Sequence, residues 1–245
     1  TRDLSRILSR LQNRIRNPRE IGGIRDTLRQ LPAILADLRN LREESAERLA
    51  ERIGEFDSLK GVLDTTLAEE LPGNLNDGGV IRDGYDAELD RVRNLARNAR
   101  TWVADREQEE REKTGIKNLR IKYNGSFGYF IEVTKSNVHL VPDHYVRKQT
   151  MTNAERYYTD DLKEKEKEIL NAEEKAIARE EEIFLEVIEQ VLSEADGLRR
   201  TAEALAETDL LIGWAHLARS RGYVRPTIDD TLDIDIENGR HPVIE

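Results

Sequence analysis

The sequence predicts a mainly α protein: long antiparallel helices over a helical core, a small antiparallel β insert at their tip, and a short β segment at the C-terminus. Three observations carry this. Apolar residues recur at intervals of three and four through most of the 245 residues, the signature of amphipathic helix. That pattern breaks from Gly115 to about Tyr158 into β-branched and aromatic residues punctuated by glycine. Finally, Thr231 to Ile236 alternates in strand fashion.

In chain order, Asp3 is placed to cap a helix carrying Leu4, Ile7, Leu8, Leu11 and Ile15, and Asn17-Pro18 joins a cap side chain to a proline at the first helical position. The stripe Ile21, Ile24, Leu28, Leu31, Leu35 and Leu38 follows, with Pro32 an expected break. It resumes through Leu49, Ile53, Phe56, Leu59, Leu63 and Leu67. Turn residues crowd between Pro72 and Gly79 before the chain returns through Val80 and Ile81. Asp83 is expected to cap a helix reaching Thr114, with Tyr85, Leu89, Val92, Ala96, Ala99 and Val103 as its apolar stripe.

Beyond Val103, Asp105 to Lys113 has no apolar face, and Asp161 to Glu168 across the insert is equally charged. Apolar periodicity returns at Ile169, Ala172, Ala176, Ile183, Phe184, Val187 and Val191. Two helices whose charged ends abut one insert read as antiparallel partners, the charged ends forming an exposed shaft. A helix from Asp160 to about Ser193 would be roughly 50 Å long, holding the insert tens of Å from the body. After Gly197 helix continues through Leu205, Leu210, Leu211, Trp214 and Leu217, and Gly222 and Pro226 end it.

With 39 Lys+Arg against 49 Asp+Glu the formal charge is -10, which argues against a chain that coats nucleic acid over its whole surface. The window Lys117 to Asn153 reverses the sign: Lys117, Arg120, Lys122, Lys135, Arg147 and Lys148 face only Glu132 and Asp143, leaving +4. Mean hydropathy of -0.69 suits slender helical layers better than one thick core. Cysteine is absent, which removes disulfides and thiolate metal sites. No apolar run approaches the ~20 residues of a membrane span. Thr1 at the start, and Gly239 to Glu245 ending in what reads as a strand, make both ends look like cuts within a larger protein.

No phosphate loop of the Gly-x-x-x-x-Gly-Lys-Ser/Thr type, no Gly-x-Gly-x-x-Gly and no His-Glu-x-x-His occurs, so no catalytic residue is assigned. His139 and His144, with Asp143 between, leave a metal site open as one reading. Asn124, Arg147, Lys148, Gln149, Thr152 and Asn153, with the amides of Gly125 and Gly128, supply donors suited to phosphate oxygens without base selectivity. Tyr123, Phe127, Tyr129 and Phe130 serve either as stacking platforms for bases or as the small core of the insert. A third reading is a coiled-coil arm that dimerises through a β hinge, for which sustained heptads are expected.

Residues 122–134 (KYNGSFGYFIEVT), 145–157 (YVRKQTMTNAERY), 77–81 (DGGVI) and 239–245 (GRHPVIE) closely resemble the bacterial MutS family of DNA mismatch-recognition proteins, and the likeness runs in order along the whole chain. It implies a core and lever in residues 1–113 and 160–217, an inserted clamp in 114–159, and the first strands of an ATPase domain in 218–245. It implies a clamp that holds the duplex DNA backbone without reading sequence, by Asn124, Lys148 and Asn153, with Gln149, Arg147 and Thr152 beside them. Thr152 stands where some relatives carry lysine, so it offers a hydroxyl but no charge. The resemblance further implies a homodimeric, cytoplasmic, nucleoid-associated parent that uses ATP and Mg and a MutL-like repair partner. This segment itself would hold no cofactor and neither recognise a mispair nor hydrolyse ATP.

Overall fold

The computed structural model describes residues 2–241, 243 and 244. Four helices build the body: α1 (Leu4–Gln12), α2 (Pro18–Asn40), α3 (Glu44–Arg52) and α4 (Asp57–Thr66). Long helices α5 (Ala87–Thr114) and α6 (Asp160–Ser193) enclose strands β1 (Arg120–Asn124), β2 (Gly128–Thr134), β3 (Val146–Thr150) and β4 (Ala154–Tyr158), and α7 (Ala195–Arg221) follows. The fold is therefore mainly helical, with a four-stranded antiparallel sheet inserted between two helices.

Local signals set most of the boundaries. Asp3 accepts a hydrogen bond from the Arg6 amide at 2.9 Å and Asn17 one from Arg19 at 2.9 Å, which satisfies amides that each helix start leaves unpaired. Gly222, at φ 68°, closes α7 in the left-handed conformation. Pro32 does not break α2. The helix passes through it because Leu28 and Leu31 before it and Leu35 after it are all buried in the core. Their burial, at roughly 1.5–3 kcal/mol per side chain, outweighs the ~3 kcal/mol penalty of an internal proline.

The start of α5 also differs from expectation: Asp86, not Asp83, is the cap. Its carboxylate accepts from the Leu89 amide at 2.8 Å and from Arg179 of α6 at 2.9 Å. Asp83 instead pairs with Arg93 at 2.7 Å and Arg97 at 3.1 Å. Tyr85 lies outside the helix and is exposed.

Antiparallel packing of α5 on α6 is visible in the order of their cross-ties. Asp86 meets Arg179, Arg93 meets Glu180, Arg100 meets Glu173, and Arg106 meets Asp161. Beneath these ion pairs runs an apolar seam of Leu89, Val92, Ala96, Ala99 and Val103 against Leu162, Ile169, Ala172, Ala176 and Ile183. At its foot the Glu180 carboxylate is buried, accepting from the Gly79 and Val80 amides at 3.0 and 2.7 Å and from Arg93 at 2.7 Å. One side chain of α6 thus pins the turn that leads into α5. That turn needs glycine, since Gly78 and Gly79 sit at φ 70° and 79°.

The charged ends of α5 and α6 are not a bare shaft. The sheet packs back onto them, sharing a core of Ala99, Val103, Ile116, Leu119, Ile131, Val133, Tyr145, Tyr157, Leu162 and Ile169. Glu107 accepts from the Ile121 amide at 2.7 Å, Glu166 from the Tyr129 amide at 2.8 Å, and Glu110 from the Tyr145 hydroxyl. Residues that a periodicity argument reads as solvated are the acceptors that seat the sheet.

The C-terminal strand is not formed: Thr231–Ile236 joins no sheet among the described residues, and Leu232 and Ile234 are exposed. Alternation supplies a face but not a partner, and a strand without a ladder leaves its amides and carbonyls to solvent. Of the Gly239–Glu245 run, Pro242 and Glu245 lie outside the described residues. The second half of α7 is likewise uncovered, with Leu210, Leu211, Ile212 and Trp214 exposed beside an apolar groove of about 810 Å³ against α2 and α3.

Candidate nucleic-acid interface

The sheet runs β1-β2-β4-β3, antiparallel throughout. Side chains alternate across a sheet, so its two faces follow from register. Ile131 and Val133 of β2 and Tyr157 of β4 face the helices with the buried core. Lys122, Phe130, Glu132 and Arg156 therefore belong to the outer face, where register pairs Lys122 with Phe130 and Glu132 with Arg156.

That outer face is only partly cationic, because Glu132 sits at its centre. It pairs with Lys122 at 2.7 Å and Arg156 at 3.3 Å, and the hydrogen bond from Lys122 holds its carboxyl below the usual range. Arg156 also lies over Phe130, 4.4 Å from the ring centroid, which buries that ring on what would otherwise be an open surface. Arg120 pairs with Glu107 and Arg147 with Glu155. Lys148 has no carboxylate partner among the described residues: its ammonium donates to the Phe127 carbonyl and lies 5.8 Å from the Tyr158 ring. It occupies an irregularity in the β3–β4 register between Arg147 and Gln149, where an extra residue re-aims side chains.

The six residues singled out in the sequence do not form one cluster. Asn124 lies at the β1–β2 turn, its side-chain oxygen accepting from the Ser126 amide at 2.9 Å. Thr152 and Asn153 lie exposed at the β3–β4 turn, the Asn153 carbonyl accepting from the Lys135 amide at 3.1 Å. Register puts these turns at opposite ends of β2, since Asn124 pairs with Gly128 and Thr134 with Ala154. At ~3.3 Å per residue that is about 20 Å. Lys148 lies between them in register, while Gln149 is half-buried and accepts from Arg156 at 3.0 Å. Arg147 is exposed beside its carboxylate partner.

The aromatic residues divide. Phe130 is buried and Tyr129 half-buried, whereas Tyr123 and Phe127 are exposed, with Tyr123 tilted against Tyr129 at 5.0 Å. The aromatic residues of the insert's core cluster are instead Tyr145 and Tyr157, packed with Ile116, Leu119, Ile131 and Val133. Burial and a hydrogen bond to Glu155 push the Tyr157 hydroxyl up to about 12, and burial with Glu110 as acceptor raises Tyr145 further. Both groups hold their protons more tightly folded than unfolded. Their contribution is therefore complete below the ordinary tyrosine value of 10.0 and declines as pH rises from there through 12. Alkaline titration followed by tyrosinate absorbance and near-ultraviolet circular dichroism is expected to show loss of sheet packing in that window.

Residues 84–175 match the family model for MutS family domain IV, a stretch running from before α5 through the sheet into α6. DNA mismatch repair protein MutS from Alkaliphilus metalliredigens is 40% identical over 243 residues, covering 99% of this chain. The MutS proteins of Listeria monocytogenes and Halalkalibacterium halodurans are 41% and 43% identical over 244 residues, again 99% of this chain. Nearly the whole chain is similar to one segment of these MutS proteins. It spans only 28% of the length of each of these MutS relatives.

Within this chain, two features of the interface escaped the reading of the sequence. Arg156 and Tyr158 lie just past the basic window, yet the alternation of β4 already places them on the face of Phe130. Lys163 belongs to a helix whose charges read as solvated, but its ammonium lies 3.5 Å from the Tyr158 ring centroid.

Proposed function

We propose that the sheet is a clamp that grips the sugar-phosphate backbone of duplex DNA without sequence selectivity, and that α5 and α6 are levers joining it to the rest of a mismatch-repair protein. The observation that carries this reading is Lys148: exposed, free of any carboxylate among the described residues, and mounted on a sheet within the MutS domain IV match. Lysine without an internal counter-ion attracts phosphate, while Asn124, Thr152 and Asn153 offer neutral donors at the two turns. Contacts of this type position a protein on DNA but carry no base information.

In this division, residues 1–113 and 160–217 are core and lever, 114–159 the clamp, and 218–245 the opening strands of an ATPase domain. Support for the last assignment is the uncovered apolar surface of α7 and of Val224, Ile228 and Ile234, which a neighbouring domain would bury. ATP and Mg belong to the longer protein in this reading. None of these 245 residues carries a phosphate-loop signature, so no step is assigned to a nucleotide here. The working parent would be a homodimer whose two clamps close around one duplex.

The test is a pair of substitutions, Arg147→Ala with Lys148→Ala. They are expected to weaken binding equally for matched and mismatched duplexes, and loss confined to the mismatched duplex would contradict the assignment. For the isolated clamp segment, with roughly three phosphates neutralised, log K is expected to fall with log salt at a slope of about -3. A flat salt dependence would sink the phosphate grip.

A further inference from the structure

We infer that the grip extends from the sheet onto the first turn of α6, with Lys163 as a further phosphate-contacting residue. The inference rests on the clamp reading above and deepens it. Three donors that meet no carboxylate among the described residues lie at the junction of β4 and α6, the Lys148 ammonium donating only to the Phe127 carbonyl. The Lys163 ammonium lies 3.5 Å and the Lys148 ammonium 5.8 Å from the centroid of the same Tyr158 ring. The two cations are therefore no more than about 9 Å apart. Lys163 is exposed and has no ion pair among the described residues. The Tyr158 hydroxyl has no protein hydrogen-bond partner among them.

Among neighbouring cations, Arg106, Arg111, Arg120, Lys122, Arg147, Arg156 and Lys165 are each neutralised by a carboxylate. Lys117, Lys135 and Lys167 are exposed without an ion pair, as Lys163 is, but Lys163 alone of these shares the Tyr158 ring with Lys148 among the described residues. Lys163 is unpaired although Glu164 is adjacent in sequence and Glu166 lies on the next turn, where Glu166 accepts from the Tyr129 amide. Two ammoniums on one electron-rich ring repel each other weakly through solvent and are each attracted to the ring face. An anion between them removes the repulsion and uses both charges. In this proposal a backbone phosphate, singly charged and presenting two unesterified oxygens, is shared by the two ammoniums, with the Tyr158 hydroxyl as third donor. The first turn of this 34-residue helix contributes partial positive charge, set against the carboxylates of Asp160 and Asp161 in the same turn, of which Asp161 is paired with Arg106. On this geometry Tyr158 is a positioning residue that sets the spacing of the two lysines.

The experiment compares the intact protein with Lys163→Gln, Lys163→Arg and Lys148→Gln, using a short fluorescent matched duplex across a salt series, with thermal unfolding as control. Lys163→Gln is expected to reduce the log–log salt slope by about 0.9. The affinity loss at low salt would then be about three- to fourfold larger than at fourfold higher salt. Lys148→Gln should lose a similar increment, the double variant about twice it, and Lys163→Arg should keep the wild-type slope. If Lys148→Gln loses its increment while Lys163→Gln binds as wild type, this inference is overturned and the clamp reading stands. If neither variant changes the slope, the clamp reading itself fails and takes the inference with it. If Lys163→Arg loses as much as Lys163→Gln and both unfold at lower temperature, Lys163 serves the fold and the inference is wrong.

Discussion

Glu180→Ala is expected to lower the stability of the helical body by about 3–5 kcal/mol, the range for breaking a buried ionic site from one side. Glu180 is 2% exposed and binds two backbone amides and one guanidinium. Its removal leaves the Gly79 and Val80 amides without an acceptor where Val80 is fully buried, and an orphaned buried donor carries its whole desolvation penalty. Arg93 keeps Asp83 and the Ile81 carbonyl, so the amides dominate the loss. Urea denaturation checks this. A change under 1 kcal/mol would show that water replaces the carboxylate and that the 78–81 turn is not pinned by α6. Glu180→Gln should fall between, because an amide oxygen can accept from one of the two N–H groups while its NH2 faces Arg93.

The second large effect concerns how rigidly the sheet is seated. Glu110→Ala is expected to cost about 3 kcal/mol, with the loss concentrated in the sheet. The Glu110 side chain is 4% exposed, sits 3.0 Å from Arg106 and accepts from the Tyr145 hydroxyl. Arg106 in turn reaches Asp161 of α6 at 2.8 Å. One carboxylate therefore ties the loop before β3 to both long helices. Hydrogen exchange is the discriminating measurement. Amides of β3 and β4 should exchange faster in Glu110→Ala while α1 to α4 remain protected, and uniform acceleration would refute a local role. A double-mutant cycle with Tyr145→Phe should give a coupling of about 1 kcal/mol or more, because the two groups touch.

Much of this architecture was legible in the sequence. The helix starts at Asp3 and Asn17, the stop at Gly222, the long pair α5 and α6, and the break into β structure between them all follow from caps and from apolar periods of 3.6 and 2. These are local signals, written within a few residues of where they act. The sequence failed where a distant partner decided. Asp83 is the expected cap, but Asp86 takes that place and is tied to Arg179, 93 residues away in sequence. Pro32 is a breaker by propensity, and burial on both sides overrides it.

The candidate site divides along the same line. Its residue types and their turns were readable: donors at Asn124, Thr152 and Asn153, charge at Arg147 and Lys148. Which cations stay available was not, since net charge in a window says nothing about pairing. Lys122 and Arg147 counted toward +4, yet each meets a carboxylate across the sheet, while Lys163, outside the window, meets none.

By itself, then, the chain determined its periodicities, its caps, its basic island and its family likeness, because each depends on neighbours in sequence. Tertiary structure alone decided that the charged helix ends are a seat rather than a shaft, and which lysines face solvent unneutralised. Both outcomes depend on carboxylates from one element meeting amides and cations from another. Such pairings are set by distance in space, which no stretch of sequence records.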